Sequence, residues 1–131
     1  MKQQKQRSDD QVEDGIVKTY YKDGTLSSET EFKNGKKNGM CKVYLRNGQL
    51  RAIGRCIEGK MTGEWKWYRE DGTLWQVGHL KDDVKEGKWE RYSPSGKLYD
   101  VGYFTNGQKS GEWQTFDNNG KATKTKRYKV K

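Results

Sequence analysis

Glycine returns every 24 residues along this chain, at Gly15, Gly39, Gly63, Gly87 and Gly111, and again nine residues behind each of these at Gly24, Gly48, Gly72, Gly96 and Gly120. Two shorter series, Gly54, Gly78 and Gly102, and Gly35, Gly59 and Gly107, keep the same step, so all 16 glycines fall into four slots of one repeat. In register the units read GIVKTYYKDGTLSSETEFKNGKKN, GMCKVYLRNGQLRAIGRCIEGKMT, GEWKWYREDGTLWQVGHLKDDVKE, GKWERYSPSGKLYDVGYFTNGQKS and a shorter GEWQTFDNNGKATKTKRYKVK. Five units in phase without an insertion predict an array in which each unit leans on its neighbours for a core it cannot build alone. Residues 1–14 stand outside the repeat and are expected to form a flexible charged segment. The domain is expected over 15–128, divided at 15–38, 39–62, 63–86, 87–110 and 111–128, with a basic end at 129–131.

Each unit reads as a β-hairpin. A short aromatic run such as EWKWY or KWERY is followed by KDG, RNG, EDG, PSG or NNG. Three residues ending in glycine match a type I turn closed by a left-handed glycine in a G1 bulge. A second run, TLWQVGHL or KLYDVGYF, leads into a turn in which Asn and Gly supply positive φ. No segment sustains the i, i+3, i+4, i+7 spacing of a helix. The expected fold is all-β: an elongated, single-layer antiparallel meander of about ten strands.

Recurring slots indicate what fills the core. Tyr20, Tyr44, Tyr68, Tyr92 and Phe116 share one, and Leu26, Leu50, Leu74 and Leu98 share another six residues later. With a three-residue loop these face each other across the hairpin as a cross-strand pair. Trp65, Trp89 and Trp113 share a third slot with Val17 and Cys41, and a glycine stands eleven residues before each tryptophan. This spacing predicts that each indole lies over bare backbone of the preceding strand.

Composition alone leaves order in question. Leu, Ile, Val and Phe make up about 15% of the chain and the net charge is +9, a balance that favours disorder. Five tryptophans and eight tyrosines, which bury large areas, argue the other way. The first fifteen residues hold no apolar run of leader length and no stretch reaches eighteen apolar residues, so a cytoplasmic protein is expected. Cys41 and Cys56 are too few for a disulfide framework and their spacing matches no zinc pattern, which predicts reduced, partly buried thiols.

The pattern G-x-W-x-x-Y-x-x-x-G-x-L, followed by x-N-G-x-K and then G, resembles the MORN repeat, in the variant form found in bacterial antitoxin-like proteins. The likeness runs from residue 15 to about 128. It implies a twisted single-layer sheet of two-stranded repeats, and a binding scaffold whose partners are proteins or phospholipids. The first unit departs in lacking the tryptophan and in Thr30. The last departs in Ala122 and Lys126, as worn capping repeats do.

No catalytic arrangement is legible, so a non-enzyme without cofactor or metal is expected. His79, the single histidine, sits in a strand slot filled elsewhere by Glu31, Arg55, Tyr103 and Arg127, with no nucleophile placed beside it. Asp82, Asp83 and Glu86 are oxygen donors, but they lie where other units form a solvated turn. Function is therefore sought where the repeat is broken. Position five reads Thr19, Val43, Trp67, Arg91 and Thr115, and position thirteen reads Ser27, Arg51, Trp75, Tyr99 and Thr123. A plain hairpin register sets the two opposite each other, so that Trp67 meets Trp75 and Arg91 meets Tyr99. The resulting patch, with Arg51, Arg55 and His79 beside it, holds the residue types of interface hot spots. A protein partner, a toxin or a component of a defence system, is expected there, bound by an antitoxin-like or phage inhibitor chain. A nucleic acid stacked on Trp67, Trp75 and Tyr99 is the second candidate, an anionic membrane the third, and a second copy of the chain, giving a homodimer, a further one. Lys121, Lys124, Lys126, Arg127, Lys129 and Lys131 form a basic tail expected to attract polyanions.

Overall fold

A computed structural model describes residues 14–129, which form one sheet of ten antiparallel strands in chain order. The strands are β1 (Gly15–Tyr20), β2 (Leu26–Lys33), β3 (Lys36–Tyr44), β4 (Leu50–Ile57), β5 (Lys60–Tyr68), β6 (Leu74–Lys81), β7 (Val84–Tyr92), β8 (Leu98–Thr105), β9 (Gln108–Phe116) and β10 (Ala122–Tyr128). Each strand pairs with its sequence neighbours, so the expected meander of hairpins is what the chain forms. No helix among the described residues is long and apolar enough to cross a membrane.

Two kinds of turn alternate. In the first, Gly24 N–H donates to Tyr21 O at 2.9 Å while Tyr21 N–H donates to Thr25 O at 2.8 Å, and the arrangement repeats at Gly48, Gly72, Gly96 and Gly120. The glycine closing each of these turns has φ between +82 and +92, the left-handed conformation of a G1 bulge. Asp23, Asn47 and Asp71 accept the backbone N–H two residues on and hold the turn in shape. In the second kind, two consecutive residues take positive φ, as at Asn34-Gly35, Glu58-Gly59, Asp82-Asp83 and Asn106-Gly107. These are the type I′ geometry that matches the twist of the flanking strands.

Tyr20, Tyr44, Tyr68 and Tyr92 pair directly with Leu26, Leu50, Leu74 and Leu98. Position five, however, does not face position thirteen: Trp67 pairs with Gln76 and Arg91 with Asp100, leaving Trp75 and Tyr99 as the extra, bulged residues of their hairpins. Ser27, Arg51 and Thr123 are skipped in the same way. A bulge of this kind sets two successive side chains on roughly one face. Thr19 Oγ1 accordingly reaches both Ser27 Oγ and Ser28 Oγ.

A second irregularity recurs between hairpins. Ile53 pairs with Lys66 but Arg55 pairs with Thr62, so Gly63, Glu64 and Trp65 crowd opposite one residue, and Gly63 takes φ +73. The crowding drives each indole over the glycine of the preceding strand. A Cβ at Gly54, Gly78 or Gly102 would fall 2.1, 2.0 or 2.0 Å from the Cδ2 of Trp65, Trp89 or Trp113. Each indole N–H then donates at 3.0 Å to the carbonyl of Arg55, His79 or Tyr103.

The core lies entirely on the tryptophan side of the sheet. Its buried members are Cys41, Ala52, Cys56, Trp65, Leu80, Trp89 and Trp113. The tyrosine and leucine slots alternate onto the other side, where all but the exposed Tyr20 stay half-buried. The core is thus a strip along one face of a single layer, extended by aromatic contact. Trp65, Trp67, Trp89, Phe104, Trp113 and Tyr128 follow one another with centroids 5.3 to 6.4 Å apart.

Candidate functional site

The aromatic ladder stops at Trp65, because in the two units before it the tryptophan slot holds Val17 and Cys41. Side chains too small to fill an indole's volume leave a hollow of about 650 Å³ on the tryptophan face. Its floor is apolar: Cys41, Ala52 and Cys56 on β3 and β4, with Met61 beside them. Trp65, Trp67 and Trp75 wall it at one end and Val17, Thr30 and Phe32 at the other. Charged groups of both signs, Lys37, Arg51 and Asp83, also line it. A second, smaller hollow of about 260 Å³ shares Arg51, Trp67 and Trp75 with the first. Trp75, the bulged residue of its hairpin and 39% exposed, therefore borders both hollows.

Trp67 and Trp75 share one face despite the shifted register. Trp67 is half-buried and stacked against Trp89 at 5.3 Å and 25°, which makes it a member of the ladder more than a free ring. One unit further on, the Arg91 guanidinium lies 5.7 Å from the centre of the Tyr99 ring, 47% exposed, so these two do meet, although they are not strand partners. Arg91 is also clamped: Nε and Nη2 donate to the two carboxylate oxygens of Asp100 at 3.0 and 2.6 Å. Asp100 is only 6% exposed, and its hydrogen bonds hold the Arg91 guanidinium charged above the ordinary arginine range. A bidentate pair of this kind fixes orientation as well as charge. Asp100 carried no functional signal in the sequence beyond its place next to Tyr99.

Arg55 and His79 do not belong to the patch. His79 pairs with Glu64 and Arg55 with Met40, while the adjacent pairs Trp65–Gly78 and Cys41–Gly54 lie on the tryptophan face. Strand alternation therefore puts Arg55 and His79 on the tyrosine face, where both are exposed. The sequence register missed this because a single bulged residue changes which slots share a face.

The basic tail is a strand. Lys124, Lys126 and Arg127 lie in β10 and pair with Thr115, Trp113 and Glu112, with Lys121 in the turn before and Lys129 just beyond. Lys126 Nζ sits 5.2 Å from the Tyr128 ring and Arg127 lies 3.5 Å from Glu112. Lys131 lies outside the described residues, as do residues 1–13. Two of the three carboxylates around Asp82 are engaged in the fold: Asp83 accepts Met61 N–H at 2.7 Å and Glu86 accepts Asn106 N–H at 2.9 Å. Among the described residues no three His, Cys, Asp or Glu side chains converge as metal ligands.

The family described as the MORN repeat variant matches residues 13–34, 61–82 and 85–106. No curated protein matches the chain. Among solved structures, the GtfA/B complex bound to UDP and GlcNAc is similar at 13% identity and a TM-score of 0.41, over 70% of this chain and 22% of that one. Accessory secretory protein 1,2 and 3 of Streptococcus pneumoniae is similar at 16% identity and a TM-score of 0.24, over 88% and 17%. The chain thus spans less than a quarter of either.

Proposed function

The chain belongs to the MORN repeat variant family, and from that premise we propose that it is a non-catalytic scaffold that seats a segment of a protein partner on its tryptophan face. The observation that carries this is the hollow itself. An array built of near-identical units leaves a cavity of about 650 Å³ in one place, lined by apolar side chains and flanked by an exposed tryptophan. Such a recess takes one or two apolar side chains of an extended segment, and Lys37, Arg51 and Asp83 meet charges of both signs beside them. A scaffold without catalytic groups acts on its partner by occupying it. Sequestration or inhibition, of a toxin or of a defence-system component, is therefore the action proposed.

A nucleic acid fits this face less well. Trp67 is held in the ladder, Arg91 is neutralised by Asp100 and Arg55 is on the far side. Trp75 and Tyr99 are then the only two rings of the proposed stacking series still open, and a continuous basic stripe is missing from their surroundings.

The test is a photo-crosslinking amino acid placed in the cell at Arg51 and, separately, at Tyr103 on the opposite face, with affinity for the captured protein then measured. Crosslinks from position 51 but not 103, and a loss of about 30-fold with Trp75→Ala against no change with Tyr103→Ala, are expected for a hot-spot residue. Equal crosslinking from both faces, or RNA or DNA as the crosslinked species, would overturn the proposal.

A further inference from the structure

Under the hollow two sulfur atoms touch. Cys41 Sγ and Cys56 Sγ lie 2.9 Å apart on neighbouring strands, one thiol donating to the other, and the residues are 4% and 3% exposed. Both are free thiols. Neither occupies its slot by default: Cys41 stands where later units have tryptophan, and Cys56 where they have Leu80 and Phe104. We propose that Cys41 and Cys56 are a modification site, a dithiol that closes to an internal disulfide when a small-molecule disulfide enters the hollow.

The repeat adds a cation to this site. Lys85 Nζ lies 5.0 Å from the Trp89 ring and 4.9 Å from the Phe104 ring, and Lys109 repeats the arrangement over Trp113 and Tyr128 at 4.6 and 5.4 Å. The same slot two units before Lys85 is Lys37, whose counterparts of Trp89 and Phe104 are Cys41 and Cys56. Lys37 lines the hollow with both cysteines. A nearby ammonium favours the thiolate that exchange chemistry needs. Burial, the hydrogen bond and charge of Cys41 and, more weakly, the Asp83 carboxylate work against it, pushing the Cys56 thiol up to about 12 despite Lys37. Closure through the Cys56 thiolate is therefore slow at neutral pH and quickens as pH rises.

The step balances without a further reactant. The Cys41 thiolate attacks one sulfur of the incoming disulfide, forming a mixed disulfide and releasing one small thiolate. The Cys56 sulfur, already in contact, then displaces the second. The protein gives up two electrons, and the two protons of its thiols end on the two released small thiols. The hollow supplies the room that two buried sulfurs otherwise lack, and the product ties β3 to β4 beneath the proposed binding surface. The site stands whether or not a partner uses that surface.

The experiment treats the full-length native protein with hydroxyethyl disulfide over a pH series and follows intact mass and free thiols. Both thiols should disappear together, leaving a monomer lighter by two hydrogen atoms. The rate should rise with pH, a reducing agent should reverse the change, and the oxidised form should melt at higher temperature. Cys41→Ser and Cys56→Ser should instead stop at a single stable adduct or stay unmodified. Two stable adducts on the wild type, disulfide-linked dimers, or thiols that react only after unfolding in urea would each overturn the assignment. The wild-type outcomes decide it even if neither serine variant folds.

Discussion

At the scale of single residues, the glycine under each indole is the strictest requirement in the chain. Gly78 is buried, and a Cβ there would fall 2.0 Å from Trp89 Cδ2, in the middle of the ladder. The ring has little freedom to retreat, since it packs against Trp67 and Phe104 and its N–H is tied to His79 O. Gly78→Ala should therefore cost about 3 kcal/mol in chemical denaturation, the upper range of overpacking, with part of the indole's burial lost. Gly120→Ala, whose Cβ meets nothing within 4 Å, should cost only about 1 kcal/mol for its positive φ. Equal costs would show that the indole contact is not what fixes the slot. This contact was legible from spacing alone, because glycine and tryptophan rise and fall together along the repeat. The faces of Arg55 and His79 were not legible, since the bulged slot is filled by Ser27, Arg51, Trp75, Tyr99 and Thr123, which share no residue type to announce it. Asp100 was hidden for another reason: a carboxylate in a strand reads as surface until its arginine is found. The hollow did have a signal, namely Val17 and Cys41 in a slot that elsewhere holds tryptophan, but a missing volume shows only once the face is known.

At the scale of the element, the turns between hairpins carry a substitution that sets two effects against each other. Asp83 fills the glycine slot of its turn with φ +73, a conformation that disfavours a side chain by about 1 kcal/mol. In return its carboxylate accepts Met61 N–H at 2.7 Å, and its own N–H donates to Met61 O at 2.9 Å. Gly59 and Gly107 make only the second of these contacts, to Lys37 O and Lys85 O. Asp83→Ala keeps the strain and loses the carboxylate, so about 1 to 2 kcal/mol of stability should go. Asp83→Gly removes strain and hydrogen bond together and should stay within about 1 kcal/mol of the parent. Thermal melts of the two variants separate these terms: an alanine variant as stable as the parent would mean that the carboxylate contributes nothing, and one as stable as the glycine variant that the positive φ costs nothing. The turn types themselves followed from the sequence, since Asn-Gly and Asp-Gly at fixed offsets leave few alternatives. What the aspartate at position 83 gains was invisible there, because its partner lies in the preceding unit.

At the scale of the molecule, the sheet is a one-dimensional object: each strand pairs with its neighbours in sequence and the core is a strip along one face. Stability in such an array is close to a sum of unit and interface contributions, so opening proceeds from the ends. The two ends are unequal. On the C-terminal side the ladder continues without a break from Trp65 to Tyr128, with Lys85 and Lys109 set against its rings. On the N-terminal side it gives way to Val17, Thr30, Cys41 and Ala52 around an open hollow. Less apolar surface is buried per strand there, and Ile16 at 64% and Tyr20 at 55% exposure show how little covers β1. Native-state hydrogen exchange should therefore give its slowest amides in β5 to β8. Protection should fall toward both edges and fall further in β1 to β3 than in β8 to β10. A flat profile would mean that the sheet opens all at once and that the ladder does not set local stability. With the expected gradient, the hollow lies where strands move most cheaply, and a bound segment would slow exchange in β3 and β4 far more than in β7 and β8.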